Sequence, residues 1–162
     1  MRSGIPDVMI TQKAKYAFKA LFHLAGRPGG QPVQIEDIAA GAGVPRRFLE
    51  HILLDLKKKG VVASRRGRAG GYVLLKQPSE LTIGAILRAV DGPMAPLTCI
   101  SQTAYRRCSD CRDEKTCAVR RLFADTYAAT LLLMEGTTLA DALAGRPAAE
   151  AGRDAISAIA VN

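Results

Sequence analysis

Residues 34–75 read QIEDIAAGAGVPRRFLEHILLDLKKKGVVASRRGRAGGYVLL, and this stretch decides the fold. Ile35, Ile38, Ala39 and Ala42 recur at helical spacing, which predicts a helix over 35–42. Gly41 and Gly43 stand where a tight turn needs small residues or a positive φ. Pro45 suits the first position of a second helix, because its missing N–H would have had no partner there. From Arg46 onward Leu49, Ile52, Leu53 and Leu56 form one apolar face, with Arg46, Arg47, Glu50 and Asp55 opposite. The run Lys57-Lys58-Lys59 meets the negative end of that helix's dipole, and Gly60 ends it. Val61-Val62 and Tyr72–Leu75 predict two short strands, joined by the basic, glycine-rich segment from Ser64 to Gly71. Each piece alone is common in proteins that never touch DNA, and a lysine run is usually only a solvated face. All of them in this order make a helix-turn-helix followed by a β-wing, with cations placed to meet a phosphate backbone or a minor groove.

The distribution of charge agrees. The 162 residues carry a net charge of +8. Residues 1–33 hold five Lys/Arg and one acid, residues 34–76 nine and four, and residues 77–162 nine and ten. The basic excess lies wholly in the N-terminal half, which is the half expected to hold double-stranded DNA. No apolar run approaches membrane-spanning length, so no membrane partner is expected. The first ten residues lack the apolar core of a signal peptide, which places the expected location in the cytoplasm. No nucleophile–base pair or paired carboxylates appear outside the cysteine region, so the sequence does not read as an enzyme.

Outside the central stretch, Met1–Val8 reads as a mobile polar extension. Thr11 is a candidate N-cap for a helix with Ala14, Ala17, Phe18, Leu21 and Leu24 on one face. His23 and His51 have no ligand-like neighbours in sequence; His23 reads as a core-edge residue, and His51 as a surface residue or a phosphate contact. Beyond the wing, Thr82–Val90 predicts a short helix stopped by Asp91-Gly92-Pro93. A loop with little periodicity follows, from Met94 to Thr116. A long helix is then expected over 118–135, with Val119, Leu122, Phe123, Thr126, Thr130, Leu133 and Met134 in one stripe. That stripe suits either core packing or a second copy of the chain, as a two-fold operator requires. Thr138 and Asp141 resemble a capping box for a short helix to Leu143. From Gly145 the Ala-rich tail shows little pattern.

All four cysteines lie in C-x8-C-x2-C-x5-C spacing: Cys99, Cys108, Cys111 and Cys117. Stable disulfides are uncommon in the cytosol, so the cluster reads as a metal, iron–sulfur or redox site. Zinc, an iron–sulfur cluster and a metal-free dithiol switch all fit this spacing. Arg106, Arg107, Arg112 and Lys115 are expected to lower the thiol pKa values and favour a thiolate-bound cluster.

These features together resemble the Rrf-two (Rrf2) family of bacterial winged-helix regulators, which includes the IscR, NsrR, RirA and CymR types. The resemblance runs from about Met9 to Leu143. It is carried by MITQKAKYAFKAL at 9–21, by the recognition helix and wing, above all Arg66-Gly67-Arg68-Ala69-Gly70-Gly71-Tyr72, and by TTLADAL at 137–143. It implies a homodimer that crosses its long helices on a pseudo-palindromic operator, and in many members a 2Fe–2S or 4Fe–4S cluster held by three loop cysteines. Cys111 and Cys117 match the usual last pair; Cys108 or Cys99 takes the first place. Lys15 stands where the nitric-oxide branch has an acidic ligand, and Arg120 where the cluster-assembly branch has a histidine.

The expected class is mainly α with a small β-wing. The expected organisation is a winged helix-turn-helix unit over 9–92, a cysteine-containing sensor loop over 93–117, a dimerisation helix and short helix over 118–144, and a flexible tail over 145–162. The DNA-binding candidates are Arg46, Arg47 and Glu50 at base edges, and Arg65, Arg66, Arg68, Gly70 and Gly71 in the wing. The metal candidates are the four cysteines. The expected function is a regulator, a repressor, whose operator binding follows a cluster or the redox state of the loop. A clusterless thiol or ligand sensor and a winged-helix protein-interaction module are the other readings.

Overall fold

The computed structural model describes residues 10–27 and 30–160; the expected extension Met1–Val8 lies outside them. Helix α1 spans Gln12–Ala25, and the Thr11 hydroxyl accepts from the Ala14 N–H at 3.0 Å as its N-cap. Helix α2 spans Ile35–Ala42 and α3 spans Arg46–Lys58. Between them Gly43 is left-handed, at φ 61°, as the turn demands. Pro45 sits one position earlier than expected, as the N-cap of α3, where its carbonyl accepts from Phe48 and Leu49.

Gly41 has a different job from the expected one. It lies within α2, and a Cβ there would collide with the imidazole of His23 on α1. Glycine thus lets α1 and α2 approach with a histidine between them, and Arg27 sits 3.3 Å from the His23 Nε2.

The wing is a two-stranded antiparallel hairpin, β1 Val62–Arg65 and β2 Gly71–Leu74, in register from Val62↔Leu74 to Arg65↔Gly71. Val33 adds a bridge to Tyr72 through two backbone bonds of 2.8 and 2.9 Å, which fixes the hairpin to the start of α2. A 3₁₀ turn at Pro78–Glu80 leads into α4, Ile83–Asp91, capped by Thr82 and ended at Gly92.

Leu21, Ile38, Leu49, Leu53, Leu56, Val62 and Ile86 are fully buried in one core. Leu139 belongs to the same core. It lies on α6, Leu139–Leu143, which Thr138 and Asp141 cap reciprocally as a capping box. The Leu139 N–H donates to the Leu81 carbonyl at 2.8 Å, and Thr82 bridges Thr138. Helix α6 therefore packs with the winged-helix unit, a correction to its grouping with residues 118–144. One buried leucine and two backbone bonds make the attachment, and neither has a periodic signature.

Between α4 and α6 the chain leaves the core. It forms the cysteine loop, with a 3₁₀ turn at Thr98–Ile100, and then α5, Ala118–Gly136. No residue of α5 is buried. The expectation of little order after Gly145 is also corrected: α7 spans Ala148–Ala160 and packs along α5. Alanine is the strongest helix former, so the segment needs no large apolar stripe to coil. Buried Ala151 and Gly152 let it lie close to Leu132 and Leu133 of α5. Arg146 fastens its start, reaching Asp141 at 2.7 Å and Asp154 at 2.6 Å.

Candidate nucleic-acid interface and cysteine loop

Helix α3 turns Leu49, Ile52, Leu53 and Leu56 inward and leaves Arg46, Arg47, Phe48, Glu50, His51 and Leu54 exposed. The charged residues are organised before any ligand arrives. Arg46 bonds Glu36 of α2 at 2.7 Å and Glu50 of its own helix at 3.1 Å. Exposed pairs of this kind are worth about 0–1 kcal/mol each, so a guanine edge or a phosphate can displace them at little cost. The Arg47 guanidinium stands 4.9 Å from the Phe48 ring centroid. The His51 Nδ1 lies 3.1 Å from the Arg47 carbonyl, an intrahelical contact.

Asp55, read as part of this outer face, turns toward α1 instead. Lys13 holds it at 2.8 Å and reaches the Val90 carbonyl at 3.4 Å, which ties α1, α3 and α4 together. The hydrogen bond and charge of Lys13 lower the Asp55 pKa from its ordinary value. Two exposed apolar residues escaped the sequence reading: Phe48, 46% exposed and packed at 5.9 Å on Tyr16, and Leu54, 47% exposed. Their signal was there, since both fall off the Leu49–Leu56 stripe yet are apolar.

In the wing, Arg65, Arg66 and Arg68 are exposed around the tip. Gln34 donates to the Arg68 carbonyl at 3.1 Å, and Lys57 donates to the Ser64 hydroxyl at 2.6 Å, so both ends of the helix pair grip the hairpin. The two wing glycines have structural reasons of their own. Gly70 is buried, its N–H bonds the Gly67 carbonyl at 2.9 Å, and a Cβ there would meet the Arg65 carbonyl. Gly71 has φ 138°, and a Cβ there would meet the Val33 carbonyl. They shape the wing that presents the arginines.

The cysteine loop lies between α4 and α5. All four thiols are free; Cys99 is buried, and Cys108, Cys111 and Cys117 are half-buried. Thr98 and Arg106 pair twice, by hydroxyl to carbonyl at 2.8 Å and N–H to carbonyl at 3.1 Å, and this brings the Cys99 and Cys108 segments together. Arg107 donates to the carbonyls of Cys111 and Arg112 at 3.0 and 3.1 Å. The Cys117 sulfur caps α5, accepting from the Arg120 N–H at 3.4 Å. The Arg120 guanidinium donates twice to the Cys99 carbonyl at 3.3 Å, joining the start of the loop to the first turn of α5.

The expectation that nearby cations lower the thiol pKa values fails at Cys108. Its pKa is raised, first by its hydrogen bond to Cys99, then by desolvation and by the negative charge of Cys99, Asp110 and Cys111. Of the nearby cations, Arg107 and Arg120 donate to backbone carbonyls rather than to sulfur. Among the described residues no three His, Cys, Asp or Glu side chains converge as a metal site.

A three-helix core, a paired hairpin and a cation-rich tip beside an exposed second helix define a winged helix-turn-helix protein. The model of the Rrf2 family, described as an iron-dependent transcriptional regulator, matches residues 10–145, and the chain belongs to that family. It is 54% identical over 146 residues to an rrf2-like HTH-type transcriptional regulator of Rhodobacter capsulatus, covering 88% of this chain and 97% of that protein. It is 31% identical over 132 residues to the HTH-type transcriptional regulator IscR of Serratia proteamaculans, covering 82% and 77%. Among solved structures it is similar to CymR, the global cysteine regulator of B. subtilis, at a TM-score of 0.68 and 28% identity, covering 85% and 98%. The chain is a transcriptional regulator and not an enzyme. No helix among the described residues is long and apolar enough to cross a membrane.

Proposed function

We propose that this chain works as a homodimeric repressor on a pseudo-palindromic double-stranded operator, and that the state of its four-cysteine loop sets its affinity for that operator. The observation that carries this reading is that the two surfaces are built from different elements. The exposed arginines lie on α3 and the wing tip, while the thiols lie on a loop that Arg120 joins to α5. Arg47 and Arg46 are the residues to meet guanine and Glu50 to accept from cytosine; Arg65, Arg66 and Arg68 are those to hold phosphate or the minor groove. The bare stripe of α5 offers Val119, Leu122 and Phe123, exposed by 55, 65 and 39%, to a second copy.

An iron–sulfur cluster suits this loop in donor chemistry, since four free thiols lie within residues 99–117. It is not preassembled in geometry, because no three ligands converge among the described residues. Cys111 and Cys117, with Cys99 or Cys108, are the residues that would hold it, and when bound it supplies an iron-dependent redox centre. The chain's own part is to place those thiols on both sides of the Arg120 contact, so that a change in the loop reaches α5. The family description as iron-dependent and the likeness to IscR support this form.

The test is iron and acid-labile sulfide per subunit in anaerobically purified protein, measured beside operator affinity. Stoichiometric iron and sulfide, lost together with a change in affinity in Cys111→Ser or Cys117→Ser, is the expected result. Stoichiometric zinc without sulfide would remove the cluster from the reading.

A further inference from the structure

Helix α3 carries one outward residue that neither the core nor the charged groups of the DNA face explain. Leu54 is 47% exposed, an apolar side chain well inside the helix. It follows Arg47 by seven residues, Glu50 by four and His51 by three, and Lys58 follows it by four. Residues at these spacings stand over one another on a helix, so the side chains form one outward strip. The core residues Leu49, Ile52, Leu53 and Leu56 lie on the other side of α3. Phe48, the other exposed apolar residue of this helix, has partners: it packs on Tyr16 at 5.9 Å and carries the Arg47 guanidinium over its ring. Leu54 has cations for neighbours. The Lys58 side chain is 66% exposed and approaches Asp55 at 3.9 Å, while Lys57 reaches Ser64 of the wing. A second copy of this chain laid on the strip would set its own cations against these, whereas a polyanion is drawn to them. An apolar spot ringed by cations and continuous with Arg47 and Glu50 therefore fits the floor of a DNA major groove.

We infer that Leu54 reads sequence by packing against the C5-methyl group of a thymine in the major groove of the operator. This rests on the reading of α3 as the helix that meets the operator, and it adds a residue that reads without a hydrogen bond. The chemistry selects the base. In the major groove adenine, guanine and cytosine present donors and acceptors, and thymine alone adds an apolar group. A leucine pressed on a polar edge would strip water from groups it cannot bond, which weakens binding. Against the thymine methyl it takes apolar surface of both partners out of water. The position of the thymine follows from the helix. Glu50 lies four residues earlier, an advance of roughly 6 Å, so the thymine falls within about two base pairs of the base that Glu50 reads.

The probe is a duplex that the full chain selects from a pool of random sequences. Each thymine of that duplex is replaced in turn by deoxyuridine, which keeps the base pairing and removes only the methyl group. At one thymine of each half-site the replacement is expected to weaken binding about fourfold, as the loss of one buried methyl group implies. Leu54→Ala is expected to bind the thymine duplex more weakly and to bind the thymine and deoxyuridine duplexes equally at that position. Its helix content and oligomeric state are expected to stay as they are, because alanine at an exposed position keeps the helix. Indifference of the unaltered chain to every deoxyuridine would overturn the inference, as would a thymine preference that persists in Leu54→Ala. A change of oligomeric state in Leu54→Ala with the thymine preference kept would give the strip to a second copy instead. Failure to select any preferred duplex removes the operator reading and this inference together; a preferred duplex bound equally well by Leu54→Ala removes this inference alone.

Discussion

Leu53 and Leu122 are leucines on the apolar faces of two amphipathic helices, yet one is fully buried and the other 65% exposed. Leu53 lies on α3, whose apolar face meets α1, β1 and α4 within the same chain. Leu122 lies on α5, near the cysteine loop, with Val119 and Phe123 exposed beside it. The winged-helix unit completes its own core; α5 carries a comparable stripe, which α7 meets at Leu133 while Val119 and Leu122 stay exposed. Exposed apolar surface of this kind is what an association face presents, and a pairing made through it would depend on protein concentration as the winged-helix core does not.

The sharpest way to break this contrast is to substitute both. Leu53→Ala is expected to cost about 2–5 kcal/mol, at every protein concentration, in denaturant titrations. Leu122→Glu is expected to leave the folded winged helix in place but to yield subunits that no longer pair, read by light scattering at micromolar concentration. Equal losses of monomer stability from the two would erase the distinction.

Gly71→Ala tests the wing as a structural attachment of the first region. Its φ of 138° and the Val33 carbonyl beside it predict a loss of about 1–3 kcal/mol from backbone strain alone. DNA binding is expected to weaken together with stability, and the reverse change Ala63→Gly, at a half-buried position of β1, is expected to cost less, about 0.5–1 kcal/mol. Intact stability with lost DNA binding would instead make Gly71 a direct contact.

On the DNA face, Arg66→Ala is expected to weaken binding to every duplex and to reduce the salt dependence by about one counterion. Glu50→Ala is expected to change sequence preference, by roughly 1–3 kcal/mol at the position it reads. Because Glu50 also bonds Arg46, the variant leaves that guanidinium held by Glu36 alone, and part of the change is expected to vanish in an Arg46→Ala background. Titrations on matched and scrambled duplexes across several salt concentrations separate these effects.

The smallest effect concerns the join between the two regions. Arg88 of α4 pairs with Glu135 of α5, and Thr82 donates to the same carboxylate at 3.2 Å. The Arg88 hydrogen bond, then its charge, lowers the Glu135 pKa against the opposing effect of burial. A lowered folded pKa gives stability that is present above the ordinary carboxylate range and is lost as pH falls through the folded value. Glu135→Gln is therefore expected to flatten the acid side of the stability profile. The effect should stay within about 1 kcal/mol, since the pair is partly solvated.

How much was legible follows the same division. The helix-turn-helix and wing were readable because large apolar residues recur at one period and the breaks fall on Gly and Pro. Thr11 and the Thr138–Asp141 box were readable because capping is local chemistry. Helix α7 was not, since Ala151 and Gly152 pack by being small, and small residues leave no contrast for a pattern. Nor was the role of Gly41 or of Asp55, which depends on His23 and Lys13 arriving from another helix. At the candidate site, the spacing of the cysteines located the loop, but the Thr98–Arg106 pairing that folds it has no signature in that spacing. The surroundings of Cys108 mislead for a related reason: basic residues near in sequence aim at carbonyl oxygens in space.

One consequence follows from where α6 goes. By returning to the core immediately after α5, it pins the far end of that helix through the Leu139–Leu81 bond and the Thr82–Thr138 bridge. The near end is joined to the cysteine loop through Arg120, whose guanidinium holds the Cys99 carbonyl. Helix α5 is thus a lever with its fulcrum in the winged helix and its handle at the thiols. Its 19 residues, at about 1.5 Å each, give an arm of roughly 28 Å, so a shift of about 2 Å at the loop swings it through about 4°. Two such levers crossed against each other would convert a small chemical change at sulfur into a change in the angle between two reading heads.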